Sequence, residues 1–172
     1  MKRFFLLLII SLVAKSVDAQ IAKNTVYLEL LGNGALYSIN YDRILLDAEK
    51  FKISSSIGYG LYRNENFEGI PFQVNFLFGH KHYFEIGTGI SYIKGLTQME
   101  PDYSWGVVSS TIYNTYRIGY RFQKDEKGLF FKVAAIPFVR LYEYEETFKT
   151  DTENAFFLYV GAAVGYSFSF RK

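Results

Sequence analysis

Seven ionisable side chains share one side of an alternating pattern: Glu29, Asp42, Lys52, Glu85, Arg117, Arg121 and Lys132. Each falls opposite a run of apolar residues at period two, so all seven face one compartment if the segments are strands of a single sheet. Three carboxylates against four cations suit an ion-pair network, because charges removed from water must be paired. The expectation is an interior network with no catalytic, cofactor-binding or metal-binding role. A gated polar pathway, or a binding pocket near one end, is the functional alternative.

Three other sets could do chemistry, and each falls short on its residues. His80 and His82 flank Lys81 in a short turn, but a zinc site wants three or four ligands and the chain has no cysteine. Glu143, Glu145, Glu146, Asp151 and Glu153 gather on one loop, yet their spacing matches no calcium loop and reads as a solvated acidic segment. A lipid hydrolase would need a serine, a histidine and an acidic orienter. Ser109 and Ser110 have no histidine near them in the topology below.

The elements that would position these residues are strands. From Phe156 to Phe170 the even positions are all apolar, whereas the odd positions become small and polar towards Ser169. A strand alternates its faces, so this is one strand with one greasy side, longer than the roughly 9–11 residues a tilted strand needs to cross a bilayer. Eight such segments follow one another. Asn33-Gly34 is a two-residue hairpin signal. Centring a turn there pairs Leu30 with Tyr37, Leu28 with Ile39 and Val26 with Tyr41 on one face. The other face then pairs Glu29 with Ser38, Tyr27 with Asn40 and Thr25 with Asp42. A one-residue slip would destroy that sorting. Further strands are predicted over about 51–62, 71–79, 83–93, 109–122 and 129–141. Pro137 interrupts the seventh, where a bulge is expected because proline cannot donate to a ladder.

Composition narrows the class. Lys2 and Arg3 precede an apolar run from Phe4 to Ala14, and Val17-Asp18-Ala19 fits a small-residue cleavage site, so residues 1–19 read as a signal peptide and 20–172 as one barrel domain. The leader holds three of the 19 bases and one of the 17 acids, leaving 16 of each. A neutral remainder gives no electrostatic case for nucleic acid. The absence of cysteine excludes disulfides, thiol catalysis and an N-terminal lipid-modified cysteine. Fifteen Tyr and 17 Phe favour strands, and in membrane barrels such residues also form girdles at both interfaces.

The fold class expected is all-β, an eight-stranded antiparallel up-and-down transmembrane barrel. A soluble lipocalin-like barrel would hold an apolar ligand inside and show polar residues to water. Here the apolar face is wide and aromatic on every strand, which suits lipid. Arg43 sits on that face at an interface, or the strand ends just before it, since a midplane Arg costs about 2–4 kcal/mol there. Connections 47–50, 80–82 and 123–128 are short, and 63–70, 94–108 and 142–154 are longer, which assigns the longer ones to the outside. Phe67, Tyr103, Trp105, Tyr142 and Tyr144 on the outer side read as girdle aromatics.

The stretch from Tyr27 to Arg43 resembles the opening hairpin of small outer-membrane barrels of Bacteroidetes, and the aromatic final strand is similar to the closing strand of such barrels, including the transmembrane domain of outer-membrane protein A. The terminal Arg171-Lys172 departs from the many such barrels that end on the aromatic. The resemblance implies fold and location but no reaction. The expectation is therefore a monomer in the outer membrane of a Gram-negative bacterium, exported by its signal peptide and inserted by the barrel-assembly machinery. It would meet outer-membrane lipid and lipopolysaccharide, bind no cofactor, and act non-enzymatically through its loops. A lipid A-modifying enzyme is the alternative.

Overall fold

The computed structural model describes residues 23–48, 50–62, 67–97, 107–145 and 156–169. These form eight strands: β1 (Asn24–Gly32), β2 (Ala35–Asp47), β3 (Phe51–Tyr62), β4 (Phe67–His80), β5 (His82–Thr97), β6 (Val107–Gln123), β7 (Gly128–Glu145) and β8 (Phe156–Phe168). Each pairs antiparallel with its sequence neighbours, and β1 pairs with β8, so the sheet closes into a barrel. Closure leaves no free edge, and every strand then has one inward and one outward face.

The opening hairpin adopts the register expected from Asn33-Gly34: Leu30 lies opposite Tyr37, Leu28 opposite Ile39, and Glu29 opposite Ser38. The turn itself does not project. Asn33 is 1% exposed and Gly34 is buried, because the turn folds into the barrel mouth against Gly60 and Gly69. Those positions must be bare: a Cβ at Gly69 would stand 2.9 Å from the Gly34 carbonyl oxygen. The end carrying this turn is termed the far end below. The near end carries the connections between β2 and β3, β4 and β5, and β6 and β7.

Two prolines lie within strands, and neither shifts the register. Pro137 stays paired with Leu158 of β8, while the ladder with β6 lapses beside it and resumes unchanged from Thr115 opposite Phe138 to Ile118 opposite Ala135. Pro71 pairs with Ser91 of β5, and the ladder with β3 lapses between Ile57–Phe72 and Gly60–Gly69. A missing N–H interrupts only the ladder it would have donated to. The bulge expected at Pro137 is therefore absent, and β7 runs on to Glu145. Bulges occur instead at Leu45, between Ile44 and Leu46, and at Leu141, opposite the step from Ile112 to Tyr113. At Leu45 the extra residue turns both Leu45 and Leu46 outward while Ile44 stays buried. Strand β2 also continues past the exposed Arg43 to Asp47 rather than ending before it. Residues 1–19, read above as a signal peptide, lie outside the described residues.

Gly69→Val should lower the urea midpoint of detergent-solubilised protein by an amount worth about 1–3 kcal/mol, the usual cost of overpacking. Ala162→Val, on the outward face of β8, should leave the midpoint almost unchanged.

Candidate functional site

The inward positions build the one polar constellation among the described residues, and it is layered along the barrel axis. At the near mouth, Lys52 Nζ lies 3.2 Å from Asp47 and 3.4 Å from Asp125, and it sits over the Tyr83 ring. Asp47 ends β2, and Asp125 lies in the connection between β6 and β7.

The next layer centres on Arg121. Its guanidinium grips Asp42 with two nitrogens, at 2.7 and 3.2 Å, and donates to Gln123 Oε1 at 2.6 Å. It also donates to Ser54 Oγ at 3.2 Å. The bidentate geometry is the one a planar guanidinium offers a carboxylate. Gln123 passes the contact on, donating to Thr25, whose hydroxyl meets Ser167 at 2.8 Å. Arg121 and Gln123 stand on β6, whereas Asp42, Ser54 and Thr25 stand on β2, β3 and β1, none of which neighbours β6, so these bonds cross the lumen and tie opposite walls together. The Phe130 ring lies under Arg121, at 4.9 Å from the guanidinium carbon.

Arg117 organises the middle layer. It donates to Glu29 at 2.6 Å, to Asn33 Oδ1 at 2.5 Å and, through Nε, to Gln73 at 3.0 Å. Asn33 in turn donates to Thr115 at 2.9 Å, while its backbone N–H reaches Glu29 at 3.3 Å. The infolded turn is thus held by the opposite wall. Lys132 completes the group, 3.6 Å from Glu29 and donating to the Tyr27 hydroxyl at 2.9 Å with its ammonium over the same ring.

Above this layer the lumen becomes apolar. Tyr113, Phe138, Phe157 and Tyr159 pack ring to ring with centroids 4.8–5.7 Å apart, backed by Ile93, Ala134 and Ile136. Such contacts add about 0.5–1.5 kcal/mol per pair beyond the area they bury.

All seven ionisable residues singled out in the sequence lie inside, and none is more than 6% exposed. Glu29, Asp42, Arg117, Arg121 and Lys132 form ion pairs with one another, and Lys52 pairs with the mouth carboxylates. Glu85 differs: it is 1% exposed yet makes no ion pair among the described residues. The sequence places Tyr113, Tyr159 and Gln73 on the inward face but does not mark Asn33 and Gln123 as network members or Phe138 and Phe157 as parts of an aromatic layer. In the sequence Asn33 signals only a turn. Inward Phe130, Phe138 and Phe157 were hidden because aromatics also populate the outward face.

The remaining candidates are dispersed. His82 is exposed at the near end, where its ring nitrogen meets the Tyr120 hydroxyl at 2.6 Å. Ser110 pairs with Lys94, twelve residues along β5 from His82, and receives a bond from Tyr92. Among the described residues no serine hydroxyl bonds a histidine, and no three metal-ligating side chains come together. Side chains of the 143–153 acidic cluster, and of Ser109, Phe67, Tyr103, Trp105 and Tyr144, lie outside the described residues; Tyr142 is exposed.

No family model matches the chain, and neither does any curated protein or solved structure. The likeness of the opening hairpin to outer-membrane barrels therefore rests on sequence pattern alone.

Asp42→Leu would strand Arg121 without its carboxylate, and should cost about 3–5 kcal/mol in equilibrium unfolding. Asp42→Leu combined with Arg121→Met should recover most of that loss, because an apolar pair of similar volume replaces the ions.

Proposed function

We propose that the protein is an integral outer-membrane barrel with a sealed interior, acting as a structural or interaction element through its far-end loops. One observation carries the reading, the inverted distribution of its side chains. Arg117, Arg121, Glu29 and Asp42 are at most 1% exposed, whereas Leu28, Leu30, Val160 and Leu158 are 56–64% exposed. The outward set encircles the barrel, with Ile39, Ile57, Phe72, Ile90, Ile118, Val133 and Val164 on successive strands. Soluble monomers rarely expose contiguous apolar patches of more than a few hundred Å². A belt around every strand is the outer surface of a barrel solvated by lipid. Exposed Arg43, on the outward face towards the near end, fits an interfacial site where its stem lies along lipid and its head reaches water.

The packed lumen favours a scaffold over a general pore. Eight strands enclose only enough space for side chains, and here buried side chains cross it at each layer. No Ser–His pair among the described residues supports a lipid-modifying enzyme, and the polar, charged lumen is opposite to what a soluble carrier of apolar ligands would present.

Two measurements test the reading. The protein should fractionate with outer membranes and migrate faster unheated than boiled in detergent gels; identical mobility with recovery in the soluble fraction would contradict it. Lipid A from a strain lacking the gene should be unchanged, and an altered lipid A restored by the wild-type chain would favour the enzyme instead. Ile118→Arg, at 52% exposure near the middle of β6, should reduce folding stability in lipid vesicles by about 2–4 kcal/mol.

A further inference from the structure

Six buried polar atoms without a hydrogen-bond partner fall on three adjacent strands: Gln73 Nε2, both amide atoms of Asn75, Glu85 Oε1, Ser91 Oγ and Arg117 Nη1. Their residues are at most 2% exposed. The ladder sets them side by side. Asn75 lies opposite Gly87, which lies opposite Arg117; Gln73 lies opposite Gly89. Glu85 and Ser91 occupy the next inward positions of β5 on either side of the two glycines. The orphaned atoms therefore line one continuous strip of the lumen wall.

An unpaired buried polar group costs about 1–3 kcal/mol, and more when charged, so six together demand an occupant. Charge decides its kind. Inside the barrel Glu29, Asp42 and Glu85 balance Arg117, Arg121 and Lys132, while Lys52 lies apart at the mouth against the partly exposed Asp47 and Asp125. An added ion would leave a net charge buried, so the occupant is neutral. It must also both donate and accept. Gln73 Nε2, Asn75 Nδ2 and Arg117 Nη1 need acceptors, Asn75 Oδ1 and Glu85 Oε1 need donors, and Ser91 Oγ serves either way.

We propose that this β4–β6 strip is a binding site for a short chain of buried waters, which link Glu85 to Arg117 as a water-separated ion pair. Water is small and neutral, and it satisfies two to four polar partners at once. The aromatic layer closes the strip towards the far end, since Ser91 lies opposite Tyr113, and the Arg121 layer closes it towards the near end. The waters are consequently held rather than exchanged with the surroundings. This site does not depend on whether the outward face meets lipid.

The test uses the isotopically labelled protein folded in detergent micelles, with cross-relaxation between water and backbone amides as the readout. Long-lived water contacts are expected at Gly87 and Gly89 and not at the outward Ile118 or Val160. Asn75→Leu should remove the contact at Gly87; should that variant not fold, the wild-type contacts decide the matter alone. Dry Gly87 and Gly89 amides would overturn the proposal, as would amide shifts there that titrate with sodium chloride, which would mark an ion in the strip instead.

Discussion

The barrel depends on its interior charges being paired across the lumen. Arg121 grips Asp42, and Arg117 grips Glu29, at exposures of 0–1%. A guanidinium so placed loses several kcal/mol of hydration, which only near-ideal geometry and a full set of acceptors can offset. The closed sheet supplies both. Asp42 and Glu29 stand on β2 and β1, the arginines on β6, and none of these pairs is adjacent in the ladder. The ion pairs consequently act as struts, fixing the distance between walls that backbone hydrogen bonds do not join. With polar groups committed to the inside, the period of two sends the apolar set outward on every strand.

Depth divides the lumen by chemistry. The mouth pair around Lys52 and the two arginine layers fill the near and middle parts, and stacked aromatics fill the part beyond. The opening turn joins the second arginine layer, because Asn33 accepts from Arg117 and donates to Thr115. The two-residue turn fits inside the mouth because Gly60 and Gly69, which face it, carry no side chain. The shortest connection at that end is thus part of the interior rather than part of the loop surface.

Much of this was legible in the sequence, for a definite reason. Alternation is a one-dimensional pattern, so strand number, the Asn33-Gly34 register and the inward set of charges could be read directly. What could not be read depends on three-dimensional distance. Glu85 has the parity of the other six but ends beside Gly119 and Leu77, with no ion-pair partner among the described residues. Phe138 and Phe157 carry outward-type side chains at inward positions, which only packing distinguishes. Pro137 suggested a bulge, but the lost donor is absorbed by a local lapse in one ladder, and the bulge falls at Leu141, where nothing in the residue type signals it.

The central claim is that the apolar face meets lipid while the charged face is sealed inside. The chain has no cysteine, so single cysteines can be placed from Phe156 to Phe168 on β8, labelled with a fluorophore and exposed to quenchers fixed to lipid tails. The account predicts strong quenching at even positions such as 158, 160 and 164 and weak quenching at 161, 163 and 165. Uniform quenching, or even positions that respond only to a water-soluble quencher, would contradict it.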